Sequence, residues 1–135
     1  MTFLGIAVWL ITSDKKVLLQ LKNWRGKTFL EPIKGWVRRD EATNDRIRKQ
    51  MEEALGCNFA KNFPFFQLSQ IAKIEFSIKG KGSGVRYHFF GSITPEKLSL
   101  IPIQNFKLIG KSDLSSRDFY LFDEDHRILS EILLD

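Results

Sequence analysis

The stretch from Gly35 to Cys57, G-W-V-R-R-D-E-A-T-N-D-R-I-R-K-Q-M-E-E-A-L-G-C, decides how the rest of the chain is interpreted. Its second half carries apolar residues at helical spacing, namely Ile47, Met51 and Leu55. Thr43 is the predicted N-cap of this helix, and Gly56 is a natural end for it. The stretch therefore predicts a polar loop followed by an amphipathic helix of about three turns.

One face of the predicted helix carries polar side chains. Residues three and four apart on a helix are neighbours, so Arg46, Gln50 and Glu53 share this face. Glu41 precedes the helix in the loop. Carboxylates grouped in this way hold Mg²⁺ for phosphate chemistry, in which the metal neutralises phosphate charge and supplies water.

The same stretch resembles the Nudix signature, G-x5-E-x7-R-E-U-x-E-E-x-G-U, where U is a bulky aliphatic residue. The matching positions are Gly35, Glu41, Met51, Glu53 and Gly56. Lys49 stands where the signature has arginine, and Gln50 and Ala54 stand where it has glutamates. The resemblance implies the Nudix fold, a mixed β-sheet between helices, over nearly the whole chain. The expected class is α/β, and α+β is also defensible.

The resemblance also implies roles for individual residues. Glu53, Glu41 and Gln50 occupy catalytic positions, and Glu53 and Glu41 would hold Mg²⁺ or Mn²⁺ if the protein is active; an inactive protein needs no cofactor. Gln50 and Ala54 leave a divalent ion with about two fewer negative charges around it, so we expect metal affinity to fall sharply. A compensating acid would have to come from outside the motif. The candidates are Glu75, Glu96 and Asp113.

The residues expected to bind substrate phosphates are Lys34, Gly35, Arg38, Arg46 and Lys49. A glycine lets the backbone approach a ligand closely, and guanidinium groups bind phosphate through paired hydrogen bonds. Arg46 has two interpretations of equal weight. It binds phosphate in place of the metal, or it pairs with Glu53 or Gln50. Trp24, Phe29 and Trp36 flank the loop, where they either stack on a base or close an edge of the core.

The remaining sequence predicts strands before and after the motif and a helix at the end. Apolar runs and alternating patterns place strands at residues 5–11, 17–21, 71–78, 85–89 and 106–109. Pro32 excludes a helix just before the motif. Asp123 is the predicted cap of the last helix. His88 and His126 are expected to be structural or exposed, because no catalytic arrangement follows from their spacing.

Composition limits the class of protein. A chain of 135 residues with 43% hydrophobic residues and twelve phenylalanines is expected to form a single domain, residues 1–135. Its one cysteine, Cys57, excludes an intramolecular disulfide and a Cys/His zinc site, which fits a reducing, cytoplasmic location. The apolar run near the start is too short for a membrane span. The net charge of +5 favours anionic partners.

Three functions follow from these observations. The first is a domain that binds a nucleotide or another pyrophosphate-containing ligand, with pyrophosphohydrolase activity weak or lost. The second is an active Mg²⁺- or Mn²⁺-dependent hydrolase of dinucleoside polyphosphates or nucleotide sugars. The third is a scaffold for protein or RNA, with a homodimer as one form and Phe63-Pro64-Phe65-Phe66 as its seam.

Overall fold

A mixed sheet of seven strands runs through the protein in the computed structural model, which describes residues 2–57, 68–80 and 82–134. The strands are β1 (Thr2–Ile11), β2 (Val17–Trp24), β3 (Lys27–Glu31), β4 (Ile33–Trp36), β5 (Ser69–Ile78), β6 (Gly82–Ser92) and β7 (Phe106–Ile109). The helices are α1 (Thr43–Leu55), α2 (Pro95–Leu98) and α3 (Asp123–Leu134). Single 3₁₀ turns lie at Ile103–Asn105 and Lys111–Asp113. The predicted class, a mixed sheet with helices, is confirmed.

The strand order is β3-β2-β1-β6-β5, with β4 paired to β1 and β7 paired to β2. β1 and β6 are parallel, and every other pair is antiparallel. β1 is central, and its residues from Ile6 to Leu10 are at most 1% exposed. The predicted strand at residues 5–11 is thus buried on both faces. The sheet therefore separates the molecule into two layers, each with its own core.

The two cores follow from the alternation of side chains along β1. Ile6, Val8 and Leu10 pack in one cluster with the apolar face of α1. Trp9 packs in the other cluster, with Ile128 and Leu129 of α3. Helices thus cover both faces of the sheet. Burying each large apolar side chain in these cores contributes about 1.5–3 kcal/mol of transfer free energy.

The bounds of α1 differ from the prediction by one residue at the start. Ala42, not Thr43, is the N-cap, and it has an extended backbone and no side-chain hydrogen bond. Its carbonyl oxygen accepts the first helical hydrogen bonds, from Asp45 and Arg46. The helix ends at Leu55, because Gly56 adopts a φ of +97°, which glycine tolerates best. Asp123 lies in the first turn of α3.

Two hairpins shape the sheet edges. β5 and β6, which contain two of the predicted strands, form a hairpin, and Lys73 and Glu75 are exposed where Ile74 and Phe76 are half-buried. β2 and β3 form a second hairpin that the sequence analysis missed, as it also missed β4. The predicted seam at residues 63–66 lies outside the described residues. Within the described ranges no helix is long and apolar enough to cross a membrane.

Candidate functional site

A hydrogen-bonded network occupies the polar face of α1. Arg46 is 4% exposed, and its Nε and Nη2 donate to Oε1 and Oε2 of Glu41, each at 2.7 Å. Its Nη1 donates to Oε1 of Gln50 at 3.0 Å. Paired hydrogen bonds from a guanidinium to a carboxylate are among the strongest in proteins. The observed contacts match the interpretation in which Arg46 pairs within the protein, with Glu41 and Gln50 as partners.

The carboxylate of Glu41 is surrounded by donors. Besides Arg46, it accepts from the backbone N–H of Arg38 at 3.0 Å and from Nζ of Lys49 at 3.2 Å. The hydrogen bonds from Arg46, followed by that from Arg38, lower the pKa of Glu41 to about 2. Glu41 is therefore ionised at neutral pH, and four donors from the protein already use its oxygens.

Gln50 ties the helix to the loop before it. Its Nε2 donates to the backbone oxygen of Lys34 at 2.7 Å. Gly35 lies directly beneath this side chain, and a Cβ at that position would come within 2.4 Å of Cγ and Cδ of Gln50. The glycine of the motif thus lets the Gln50 side chain pack against the loop backbone, and a larger residue would force that side chain to move.

Glu53 lies apart from this network. Its side chain is exposed and borders a cavity of about 180 Å³ whose other lining residues are Gln20, Leu21, Lys22, Ala54, Asn105 and Phe106. No hydrogen bond or ion pair within the described residues engages it. The neighbouring Ala54 offers no ligand atom. Among the described residues that line this cavity, Glu53 is therefore the one carboxylate, and it is open.

The side chains at the motif do not provide the oxygen ligands with which the signature would hold a divalent cation. Glu41 is engaged by four donors, Gln50 by Arg46 and Lys34, and Glu53 is the remaining acid. The described residues contain no group of three or more His, Cys, Asp or Glu side chains that could hold a metal ion. Mg²⁺ is normally held by one or two free carboxylates together with substrate phosphates. The assignment of a metal to Glu41 and Glu53 stays a prediction.

The three acids outside the motif differ in position. Asp113 accepts from the backbone N–H of Gly110 at 2.9 Å, within its own turn. Glu75 is exposed on β5 beside Lys73, with their charged atoms 3.9 Å apart. Glu96 is exposed in α2, and Leu98 of that helix packs against the same core as α1. Glu96 is thus the candidate whose helix lies on the side of the motif.

The predicted phosphate-binding cations divide between two sides of the sheet. Arg38 and Lys49 are exposed next to Glu41 on the α1 side. Lys34 lies opposite Ala7 in the register of β4 with β1. Ala7 stands between Ile6 and Val8, whose side chains face α1, so the side chains of Ala7 and Lys34 point to the α3 side. There its Nζ lies 2.5 Å from Oδ2 of Asp125. The structure therefore brings together Glu41, Lys49, Gln50 and the backbone of Lys34 but separates the ammonium group of Lys34 from them.

The α3 side holds a second polar cluster that the sequence analysis missed. Nε1 of Trp9 donates to Nδ1 of His88 at 2.9 Å, which leaves Nε2 of His88 to donate to Oε2 of Glu124 at 3.0 Å. Nη1 of Arg86 donates to the same oxygen at 2.7 Å. Burial raises the pKa of Glu124, but these hydrogen bonds outweigh it and lower the pKa to about 2. His126, in contrast, is exposed.

Asp125, at the start of α3, and Glu31, at the end of β3, have pKa values displaced in the other direction. Asp125 is fully buried, and burial raises its pKa despite the charge of Lys34. Burial also raises the pKa of Glu31. Oδ1 of Asp125 and Nε of Arg86 are buried without a hydrogen-bond partner within the described residues. The signal that could have revealed the cluster is the acidic run Asp123, Glu124 and Asp125 at the start of α3.

Comparison with known proteins supports the fold. No family model and no curated sequence matches this chain. A Nudix family hydrolase from Clostridium perfringens superposes with a TM-score of 0.62 at 15% identity, covering 96% of this chain and 95% of that one. The Nudix domain of Shewanella oneidensis NrtR, solved with ADP ribose, gives a TM-score of 0.65 at 15% identity, with 97% and 86% coverage.

A third structure, described as that of possible asymmetric diadenosine tetraphosphate hydrolases from Jonesia denitrificans, gives a TM-score of 0.66 at 15% identity, with 99% and 94% coverage. Each of these matches extends over almost the whole of this chain. The chain is therefore a Nudix-fold protein.

Proposed function

We propose that the protein binds a nucleotide or another pyrophosphate-containing ligand at the motif loop and that its pyrophosphohydrolase activity is weak or lost. The observation that carries this proposal is the network of Glu41, Arg46 and Gln50. In this network a guanidinium and an amide occupy the helix face where the signature places metal-binding acids. A metal ion that positions the attacking water would therefore lack its usual carboxylate ligands here.

Binding has separate support. The chain carries a net charge of +5, and Lys22, Arg38, Arg39 and Lys49 lie on or near the motif with exposed side chains. Cations grouped in this way raise the local concentration of anionic ligands. ADP ribose, the ligand of the Shewanella NrtR Nudix domain, belongs to the proposed ligand class. We include a reducing, cytoplasmic location in the proposal, since the one cysteine, Cys57, is free and exposed.

The test is a panel of ligands measured for both binding and product release. ADP ribose, diadenosine tetraphosphate and a nucleotide sugar are each assayed with Mg²⁺, with Mn²⁺ and with chelator. We expect binding of at least one of them in chelator, weakened by added salt. We expect product release at least about 100-fold slower than that of a Nudix hydrolase with a complete signature, the minimum loss typical of a missing general base.

Variants decide between the proposal and its alternative. If Mg²⁺- or Mn²⁺-dependent product release is substantial and Glu53→Gln abolishes it, the protein is an active hydrolase and the proposal is wrong. If no ligand of the panel binds to folded protein, the binding proposal is also wrong. Glu52→Gln is the matched control, because residue 52 lies about 100° around the helix from residue 53 and faces another direction.

Restoring the missing acids tests the cause of the loss. In the double variant Gln50→Glu with Ala54→Glu, we expect Mn²⁺ affinity to rise by at least about tenfold, because two carboxylates join Glu53 on one face. The control carries two new acids on exposed strand positions, Ser77→Glu with Ser92→Glu. Equal Mn²⁺ binding by both double variants would show that added negative charge, and not the motif face, is responsible.

A further inference from the structure

Four aromatic rings meet at the edge of the sheet formed by the β2–β3 hairpin and the segment before α3. Phe29 is at the centre, with its ring centroid 5.8 Å from Trp24, 5.5 Å from Tyr120 and 4.9 Å from Phe122. The rings of Phe29 and Phe122 are stacked, with 21° between their planes. We call Trp24, Phe29, Tyr120 and Phe122 the aromatic platform.

The backbone holds the aromatic platform in place. Arg25 and Gly26 have φ values of +51° and +74°, the conformation of a tight two-residue hairpin turn, and this turn pairs Trp24 with Lys27. Tyr120 is fixed to the outer edge of β3 by two backbone hydrogen bonds of 2.9 Å, one to Thr28 and one from Leu30. The platform is therefore built on a sheet and not on a free loop.

The platform faces solvent to an unusual degree. Trp24, Tyr120 and Phe122 are 53%, 47% and 44% exposed. Trp36 is the other strongly exposed large aromatic residue among the described ones, and it lies elsewhere, against Phe3 and Phe76. Exposed apolar side chains concentrated at one place on a surface indicate an interaction site.

Cations accompany the rings. Arg25 lies 4.5 Å from the ring centroid of Trp24, Lys27 lies 5.0 Å from that of Tyr120, and Lys34 lies 5.1 Å from that of Phe122. Lys22 is paired in register with Phe29. Within the described residues, no carboxylate forms an ion pair with Lys22, Arg25 or Lys27. The surface thus offers ring faces and positive charge together.

We propose that the aromatic platform binds single-stranded nucleic acid, with bases stacked on the exposed rings and backbone phosphates near Lys22, Arg25 and Lys27. Stacking accepts every base, and basic side chains beside aromatic rings are the usual means of holding a single strand. A duplex keeps its base faces covered, and an acidic peptide has no planar bases to stack. The combination of rings and cations therefore fits one kind of partner.

The platform wraps around the edge of the sheet: its β2 member Trp24 faces the α1 side, whereas Lys34, on the α3 side, lies over the ring of Phe122. Leu18 packs into the α1-side core, so by alternation Gln20, Lys22 and Trp24 face that side as well. Gln20 and Lys22 also line the cavity beside Glu53. The two surfaces are neighbours, but the proposal for the platform does not depend on ligand binding at the motif.

The test is fluorescence anisotropy of a labelled twelve-nucleotide oligo(U) and oligo(dT), with a duplex of equal length for comparison. We expect Trp24→Ala to weaken binding of the single strands by about 5- to 150-fold, the range for loss of one base stack. Trp24→Phe should retain most of the affinity, because it keeps a ring. Lys27→Ala should reduce the slope of log K against log salt by about 0.7.

Controls separate this surface from general charge and from the motif. Lys73→Ala removes another lysine that lies over a ring, that of Tyr87 on the β5–β6 hairpin, and should leave oligonucleotide binding unchanged. ADP ribose binding should not respond to Lys27→Ala, which distinguishes a failure here from a failure of the proposed function. The proposal is overturned by equal binding of duplex and single strand, by equal effects of Lys27→Ala and Lys73→Ala, or by no oligonucleotide binding at low salt.

Discussion

Each face of the sheet carries a buried group of polar residues, and the two groups differ in how completely their hydrogen bonds are satisfied. On the α1 side, Arg46 and Gln50 each bond to protein partners, and Glu41 accepts four hydrogen bonds. On the α3 side, Asp125 and Arg86 each retain a buried atom without a partner within the described residues. The first arrangement, which we call the α1-side brace, holds the loop and helix α1 together through satisfied hydrogen bonds. The second keeps unsatisfied hydrogen-bonding capacity.

The difference has an energetic meaning. A buried polar atom without a partner costs about 1–3 kcal/mol, whereas a satisfied network of the same size costs little. The α3 side therefore contains polar groups whose burial is not fully compensated by hydrogen bonds, and burial raises the pKa of Asp125. Substitutions in it should be more costly than equivalent substitutions around Arg46. The experiments below test this ranking, from the largest expected effect to the smallest.

Lys34→Met should give the largest loss of stability. It removes the only hydrogen-bond donor to Asp125 within the described residues and leaves a fully buried carboxylate without a partner. Breaking a buried ion pair from one side costs about 3–5 kcal/mol. Urea unfolding at pH 7 measures it. The double variant Lys34→Met with Asp125→Leu should recover most of the loss, and a smaller loss than that of Arg46→Met would reverse the ranking of the two faces.

Arg46→Met should cost less, about 2 kcal/mol, the range for hydrogen bonds to a charged group. Glu41 retains the backbone N–H of Arg38 and the ammonium group of Lys49, so its charge is not left alone. The measurement is again urea unfolding. Arg39→Met is the matched control, because Arg39 is an exposed arginine of the same loop and its loss should change stability by less than about 0.5 kcal/mol.

The sequence predicted the fold well because the fold depends on patterns that are local. The run from Gly5 to Ile11 and the spacing of Ile47, Met51 and Leu55 specify a buried strand and an amphipathic helix without knowledge of any partner. β3 and β4 escaped prediction because they are short, of five and four residues, and are interrupted by Pro32. Their pairing with β2 and β1 is a tertiary contact that no local pattern records.

The site was predicted only where contacts are close in sequence. Arg46 and Gln50 are four residues apart on a helix, so their contact followed from helical spacing. The pairing of Arg46 with Glu41 did not, because it depends on the path of the loop. The contact between Lys34 and Asp125 spans 91 residues and crosses to the other face of the sheet. Such a contact becomes visible only when the register of β4 with β1 is known.

Gly35→Ala tests how tightly the α1-side brace is packed. The new Cβ would lie 2.4 Å from the Gln50 side chain, and overpacking of this kind costs about 1–3 kcal/mol. We expect a value near the lower end, since the amide of Gln50 can move outward. Gln50→Ala makes room, so the double variant should be less destabilised than the sum of the single ones. Additive losses in this double-mutant cycle would show that the two residues do not interact.

The smallest expected effect is a pH dependence of opposite sign for Glu41 on the α1 side and Asp125 on the α3 side. The pKa of Glu41 is lowered from 4.5 to about 2, so its contribution to stability is complete above pH 4.5 and is lost as the pH falls toward 2. The pKa of Asp125 is raised above 3.8 by burial, so its protonation favours the folded state; this contribution is complete below pH 3.8 and is lost as the pH rises through the raised pKa. The free energy of unfolding should therefore have a maximum in mildly acidic solution. Glu41→Gln should flatten the acid side of that maximum and Asp125→Asn the neutral side. If both variants change stability on the same side of the pH maximum, the two groups of polar residues do not contribute to the free energy of unfolding with opposite pH dependence.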